Sequence, residues 1–194
     1  MNLALAYDTE TTGLPLFKEP SEHPDQPHIV QLAACLVDID TRKTIASMNV
    51  IVKPEGWTIP DDVAAIHGIT TEHAMDVGIS EPVALEMFLQ LWSERLRIGH
   101  NQSFDARIIR IAQMRHSFSL ESQEVWKAGQ SECTCYMARP HTKLDKNKLP
   151  KLGEAYQHFF DKPMEGAHTA MGDVDGCLAV YFAIKDLTGQ PLAA

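Results

Sequence analysis

The chain has 194 residues, 44% hydrophobic and 22% charged, ordinary proportions for one soluble globular domain with a sizeable core. Its formal net charge of −9 argues against broad, charge-driven binding to duplex nucleic acid, yet permits a nucleic acid handled a few nucleotides at a time. No apolar run approaches the ~20 residues that span a bilayer, and the N-terminus lacks the basic segment of a signal peptide. The expectation is a cytoplasmic protein without a membrane partner. Cys35, Cys133, Cys135 and Cys177 show no C-x-x-C spacing and read as reduced, structural thiols.

In chain order, residues 3–8 form a first strand, the apolar run Leu3-Ala-Leu-Ala-Tyr7 leading into acids. Residues 12–27 contain Pro15, Pro20, Pro24 and Pro27, so they form a long loop and no regular helix or central strand. Residues 29–37 and 44–52 are apolar and β-branched, and the turn at 38–43 joins them as a hairpin. A short helix over 61–68 follows Pro60, with acids at its start and Gly68 at its end. Residues 80–96 carry Val83, Met87 and Leu91 at helical spacing. A short strand at 97–100 leads into a helix beginning near Phe104, and further helices are expected over 133–139, 149–159 and 169–187. No repeat or linker interrupts the pattern, so residues 1–194 read as a single domain with a mixed sheet flanked by helices.

The chemistry lies in acids at element ends. Side chains alternate along a strand, so Asp8 and Glu10 project from the same side. Two carboxylates at the end of a buried strand repel each other, and each unpaired buried charge costs several kcal/mol. A hard divalent metal between them is the natural remedy. Asp105 falls in the first turn of a helix just past a strand, where it can reach over the sheet edge. His168 and Asp173 are five residues apart, about 500° on a helix, and would not share a face. The spacing makes sense with His168 on the loop before the helix and Asp173 in its first turns, and Gly166 would let that loop move. Four carboxylates and one imidazole suit two hard metals and a general base for in-line displacement at phosphorus. The oxygen-rich donor set favours Mg²⁺ or Mn²⁺ over zinc. A histidine with a pKa of about 6.5 can take a proton from an attacking water near neutral pH. Arg139, His141, Lys143, Lys146, Lys148 and Lys151 gather positive charge within thirteen positions, as a solvated loop or as a phosphate-contacting edge.

Four segments, Tyr7-Asp-Thr-Glu-Thr-Thr-Gly-Leu14, Ile66-His-Gly-Ile-Thr70, His100-Asn-Gln-Ser-Phe-Asp105 and His168-Thr-Ala-Met-Gly-Asp173, occur in the order found in the DEDDh group of 3′–5′ exonucleases. The chain resembles that group of the DnaQ-like superfamily, which includes the proofreading epsilon subunit of bacterial DNA polymerase III and ribonuclease T. The sibling group has tyrosine four residues before the last aspartate; Thr169 stands there here, which indicates the histidine subtype. The resemblance implies an α/β, ribonuclease H-like fold with a mixed five-stranded sheet flanked by helices. It also implies stepwise release of nucleoside 5′-monophosphates from a free 3′ end.

Carried over residue by residue, Asp8, Glu10, Asp105 and Asp173 bind two Mg²⁺ or Mn²⁺ ions and His168 activates the water. Thr11, Gly13, His67, Gly68, Asn101 and Phe104 line the pocket of the terminal nucleotide. Single strands are the favoured substrate, DNA ahead of an RNA-trimming alternative. A noncatalytic nucleic-acid-binding module would normally have lost a carboxylate, and the set here is complete. Another metal-dependent phosphodiesterase, such as an endonuclease, shares the core chemistry. Cys133 replaces an aspartate that many relatives carry, with packing consequences expected and no loss of the metal quartet. The 12–27 loop either borders the substrate groove or is an inert excursion. The reading favours a free-standing nuclease, or one acting beside a separate polymerase or repair partner, and leaves the oligomeric state open.

Overall fold

The computed structural model describes residues 1–189. At its centre is β1 (Leu3–Thr11), the middle strand of a five-stranded sheet ordered β3-β2-β1-β4-β5. β2 (Ile29–Asp38) pairs antiparallel with β1, and β3 (Lys43–Ile51) pairs antiparallel with β2 as the expected hairpin. β4 (Leu96–Gly99) and β5 (Ser131–Cys133) add in parallel on the other side. The mixed, helix-flanked α/β sheet expected from the sequence is therefore present.

Alternation along β1 divides the core in two. Leu5 and Tyr7 pack with Phe88 of α3 (Glu81–Trp92), Ile108 and Ile109 of α4 (Gln102–Arg115) and Trp126 of α5 (Leu120–Ala128). Ala4 and Ala6 face the other way, against Ala170, Val174, Cys177 and Tyr181 of α8 (Ala170–Thr188). Two alanines leave little bulk between strand and helix, so α8 lies close to β1. Behind α8 pack α6 (Thr134–Thr142) and α7 (Leu152–Phe160), through Ala138, Ala155, Val180 and Ile184. The crossover after β3 holds two short helices, α1 (Asp61–His67) and α2 (Thr71–Val77), which with Ile59 cover Val30. All ten residues of β2 are buried, because a strand lies on each side of it.

Four elements were not anticipated: α2, α5, β5 and a one-turn 3₁₀ helix at Asp145–Asn147. α2 spans seven residues and β5 three, too short for a period to register. The start of α2 is marked instead by Thr70, whose Oγ1 accepts from the His73 N–H at 3.2 Å. α3 ends at Trp92 and does not continue to residue 96, since Ser93 and Glu94 take left-handed φ values of 42° and 60°. Trp92 Nε1 then donates to the Arg95 carbonyl at 2.6 Å. All four cysteines are free thiols. Among the described residues no helix is long and apolar enough to cross a membrane.

Residues 12–28 contain no helix or strand, as the prolines require, yet the loop is firmly attached. Arg107 Nη2 donates to the carbonyls of Leu16 (2.9 Å) and Glu19 (2.8 Å). Arg110 donates twice to Ser21 Oγ, at 3.1 and 2.8 Å. Arg115 Nη2 donates to the carbonyls of Gln26 (2.7 Å) and Pro27 (2.9 Å). Three arginines of α4 thereby supply hydrogen bonds that the irregular backbone cannot make for itself.

The loop ends at a buried carboxylate. Glu81, 4% exposed, accepts from the Ile29 N–H at 3.0 Å and from Arg115 Nη1 at 3.2 Å, and bonds His116 Nε2 at 2.8 Å. Burial opposes ionisation of Glu81, but the hydrogen bond from His116, the His28 ring 3.5 Å away and the charge of Arg115 outweigh it and hold the carboxyl well below its ordinary value of 4.5. The unfolded chain titrates near 4.5, so the stabilisation is full above that pH and drains away below it. Glu81→Gln is expected to cost about 3 kcal/mol at neutral pH. Chemical denaturation of both proteins as a function of pH should show that gap constant above about pH 5 and narrowing in acid; a pH-independent gap would contradict the assignment.

Candidate active site

Asp8 and Glu10 extend the Ala4–Ala6 face of β1 and so point toward α8. Asp173 lies in the first turn of α8, one residue before the buried Val174 that packs on that face. Asp8, Glu10 and Asp173 each offer a carboxylate oxygen, and these oxygens all lie within 4.8 Å of one another. The strand carries two of the acids in register and the helix delivers the third.

Asp105 stands outside this trio. It arrives from α4 on the opposite side of β1, where Oδ1 accepts from the Thr9 N–H at 3.0 Å and from Thr9 Oγ1 at 2.6 Å. Asp105 is 3% exposed, and its charge acts on Asp8. Four acids therefore converge on the end of one strand from three elements, three in close contact and the fourth tied to the intervening Thr9.

His168 occupies the loop before α8, as the spacing required, in a left-handed conformation with φ 66°. Its imidazole is exposed and its charge acts on both Glu10 and Asp173. Lys151, His168 and Asp173 line one cleft of about 340 Å³, so the last residue of the basic stretch borders the acids. Gly166, in the same loop, forms a turn. Its φ is 71°, and its carbonyl accepts from Thr169 Oγ1 at 2.8 Å.

The sequence reading missed the supports of this loop. A Cβ at Gly172 would lie 2.1 Å from the Gly166 carbonyl oxygen, and one at Gly176 would lie 2.2 Å from Met164 Sδ. Two glycines one turn apart on α8 thus form the seat on which the His168 loop rests, and their spacing was visible in Met171-Gly-Asp-Val-Asp-Gly176. Gln31, opposite Glu10 on β2, accepts from the Ala170 N–H at 3.1 Å and fixes the start of α8. No local pattern marks that residue.

The expected pocket residues fall into two groups. Thr11 ends β1 and its Oγ1 donates to the Gly13 carbonyl at 2.8 Å, so both belong to the turn that leaves the acids. Asn101, with φ 59°, caps α4 one turn before Asp105, and half-buried Phe104 immediately precedes that acid. His67 and Gly68 end α1, and among the described residues no hydrogen bond joins them to the acids. His67 Nδ1 accepts from the Ile69 N–H at 3.1 Å, which puts the proton on Nε2, a buried donor without a partner. Cys133 occupies the N-cap position of α6 with its Sγ 3.4 Å from that of Cys135. The four acids converge with cysteine at that position.

Like charges at this spacing resist common ionisation. Burial, followed by the charges of Asp105, Asp173 and Glu10, pushes Asp8 well up. Burial also raises Glu10 and Asp173, with Asp173 adding to the effect on Glu10 and the nearby His168 opposing it on both. Asp105 is raised by burial to about 7, against the opposing hydrogen bonds from Thr9. A set of hard oxygen donors that cannot all carry charge unaided fits divalent cations. The unfolded chain releases the Asp105 proton near 3.8, so the metal-free fold loses stability as pH rises from there to about 7. Asp105→Asn keeps an acceptor for Thr9 and removes the charge. In EDTA at pH 8 it should stabilise the protein by about 2 kcal/mol, with the gain vanishing near pH 4; thermal unfolding across that range would reveal a destabilised variant if the burial argument is mistaken.

The chain overlays on E. coli exonuclease I in complex with a dT13 oligonucleotide with a TM-score of 0.73 and 21% identity, covering 95% of this chain and 41% of that one. The zinc-bound form of the E. coli exonuclease I–single-stranded DNA complex gives 0.74 and 21%, covering 98% and 42%. A moderately thermophilic exonuclease I from Methylocaldum szegediense gives 0.75 and 20%, covering 98% and 42%. The chain thus spans about two fifths of the length of these proteins and shares their fold over nearly all of its own. No curated protein matches it by sequence. The RNase T model, described as Exonuclease, matches residues 5–181. The chain belongs to this exonuclease family, within the DnaQ-like 3′–5′ exonuclease superfamily.

Proposed function

We propose that this protein is a metal-dependent 3′–5′ exonuclease that releases nucleoside 5′-monophosphates from the 3′ end of single-stranded nucleic acid, DNA in preference to RNA, as one cytoplasmic domain over residues 1–194. The observation that carries the reading is the meeting of Asp8, Glu10 and Asp173 within 4.8 Å, with Asp105 joined to the same strand end through Thr9. These four carboxylates would hold two Mg²⁺ or Mn²⁺ ions. When bound, the ions supply positive charge for the attacking and leaving oxygens of an in-line displacement at phosphorus.

The remaining work falls to the chain itself. His168 is exposed beside Glu10 and Asp173, where its imidazole takes the proton of the attacking water and sheds it to solvent. The turn at Thr11 and Gly13 and the opening of α4 at Asn101 and Phe104 flank the acids and hold the terminal nucleotide. His67 Nε2 is a preformed donor for a substrate acceptor, since its other nitrogen is already engaged. Lys151 offers a cation to a phosphate at the mouth of the same cleft. The preference for DNA rests on the dT13 and dA16 complexes of exonuclease I, and RNA trimming is the second reading. The exonuclease I complex with an SSB C-terminus supports a separate repair or replication partner.

The direct test is digestion of 5′-labelled single-stranded DNA and RNA of one sequence with Mg²⁺ or Mn²⁺, using Asp8→Ala as control. A ladder descending from the 3′ end, absent in the variant, is expected. Cleavage of a circular single strand would sink the exonuclease reading in favour of an endonuclease, and faster shortening of RNA would reverse the substrate preference. His168→Ala should lower turnover by about 10²–10⁴-fold while leaving metal titration unchanged. Gly172→Ala, which pushes on the Gly166 carbonyl beneath the histidine loop, should lower turnover by up to about 10²-fold. Adding it to His168→Ala should cost little more, and an additive loss would mean that Gly172 acts elsewhere.

A further inference from the structure

Arg97 stands in β4 opposite Leu5 and shares its face, under α4 and α5. It is 3% exposed, and its guanidinium lies 4.0 Å from the Trp126 ring centroid and 5.4 Å from that of Trp92. It donates to the Gly129 and Gln130 carbonyls. A buried arginine is normally paired with an acid; among the described residues Arg97 has no such partner. Its neighbourhood deepens the anomaly. Arg97 lines a cleft of about 360 Å³ with Ser103, Arg107 and Arg110 of α4 and Trp126 and Lys127 of α5. Four cations line it and, among the described residues, no carboxylate does, on a chain whose net charge is −9.

The cations keep unused capacity. Arg107 spends Nη2 on two loop carbonyls, while its Nε is buried without a partner. Among the described residues the Arg110 guanidinium donates only to the neutral Ser21 hydroxyl. Lys127 faces Glu124 at 3.7 Å with both side chains more than 60% exposed, a pairing worth little. Uncompensated guanidinium forks beside a serine hydroxyl suit an anion with several oxygens, above all a phosphate.

The cleft shares a helix with the carboxylate site. α4 sends Asp105 to β1 and presents Ser103, Arg107 and Arg110 to the cleft. The loop leaving Thr11 and Gly13 exposes Leu14 (74%) and Phe17 (64%) before Arg107 and Arg110 clamp it. Arg107 lies 5.4 Å from the Phe17 ring centroid. An exposed aromatic ring next to unpaired cations is the pairing used to hold single strands, bases stacking while phosphates are neutralised.

We propose that the Arg97–Arg107–Arg110–Lys127 cleft binds backbone phosphates of the substrate strand on the 5′ side of its reacting end, with Phe17 as the stacking surface beside it. The assignment of the strand as substrate rests on the exonuclease reading above; phosphate binding by the cleft is tested apart from it. The experiment uses the whole protein in EDTA and follows the fluorescence anisotropy of a labelled oligothymidylate of about twelve nucleotides from about 50 to 200 mM KCl. Arg110→Ala with Lys127→Ala should weaken binding about tenfold and flatten the slope of log affinity against log salt by about 0.7 per lost contact. Ser21→Ala, which removes the loop anchor and keeps the Arg110 cation, should bind like wild type. With Mn²⁺ restored, hydrolysis of the p-nitrophenyl ester of thymidine 5′-monophosphate, too short to reach the cleft, should be equal in all of them.

Unchanged affinity and salt slope in the double variant would overturn the proposal, as would a Ser21→Ala protein that reproduces its loss. A wild-type protein that hydrolyses neither substrate, yet loses oligomer binding on substitution of Arg110 and Lys127, would remove the exonuclease reading and leave the phosphate cleft standing.

Discussion

Mutual repulsion among the carboxylates at the end of β1 is the constraint around which the rest of the molecule is arranged. Asp8, Glu10 and Asp173 would drift apart in water, and bringing their oxygens within 4.8 Å of each other requires a frame that yields little. Each face of β1 supplies part of that frame. Tyr7 is wedged among Phe88 and Trp126, with ring centroids 5.2 and 5.8 Å away. Ala4 and Ala6 let α8 lie against the strand, and Gln31 pins the first turn of that helix. Packing energy from two cores offsets an electrostatic cost concentrated at one strand end, and bound cations would relieve it. This is strain of the kind that functional sites store at the expense of stability.

α4 does more than contribute one acid. Its first turn brings Asp105 to Thr9, its outer face carries Arg107 and Arg110 to the proline-rich loop, and its end delivers Arg115 to Glu81. One rigid helix therefore sets the fourth carboxylate, the path of the chain leaving the site and the join between loop and sheet. The loop is bound to α4 at Leu16, Glu19, Ser21, Gln26 and Pro27. Its irregular backbone is tolerated because arginine donors replace the hydrogen bonds that secondary structure would have made. The same side chains leave positive charge on the α4–α5 side of a chain that is acidic as a whole.

The basic stretch from Arg139 to Lys151 shows why charge counts alone are ambiguous. Lys148 is engaged with Glu154 at 3.2 Å on an exposed surface, which is ordinary solvated pairing. Lys151, three residues on, lines the cleft of His168 and Asp173. Lys148 is solvated and Lys151 borders the acids, and only neighbours brought in by α7 and α8 separate them.

Much of this was legible in the chain itself. The alternation of an extended strand placed Asp8 and Glu10 on one face, four prolines ruled regular structure out of residues 12–27, and the five-residue gap put His168 off the helix that carries Asp173. Each is a local statement about backbone geometry, which a short window of sequence determines. The ordered motifs extended it to the four-acid set through family likeness. What tertiary structure alone decided was which distant groups meet: Thr9 as the partner of Asp105, Gln31 as the anchor of α8, Gly172 and Gly176 as the seat of the histidine loop, and Arg97 buried with no acid beside it. Those relations join residues up to 139 positions apart, and no periodicity reports them, because they depend on how faces of separate elements come to share one volume.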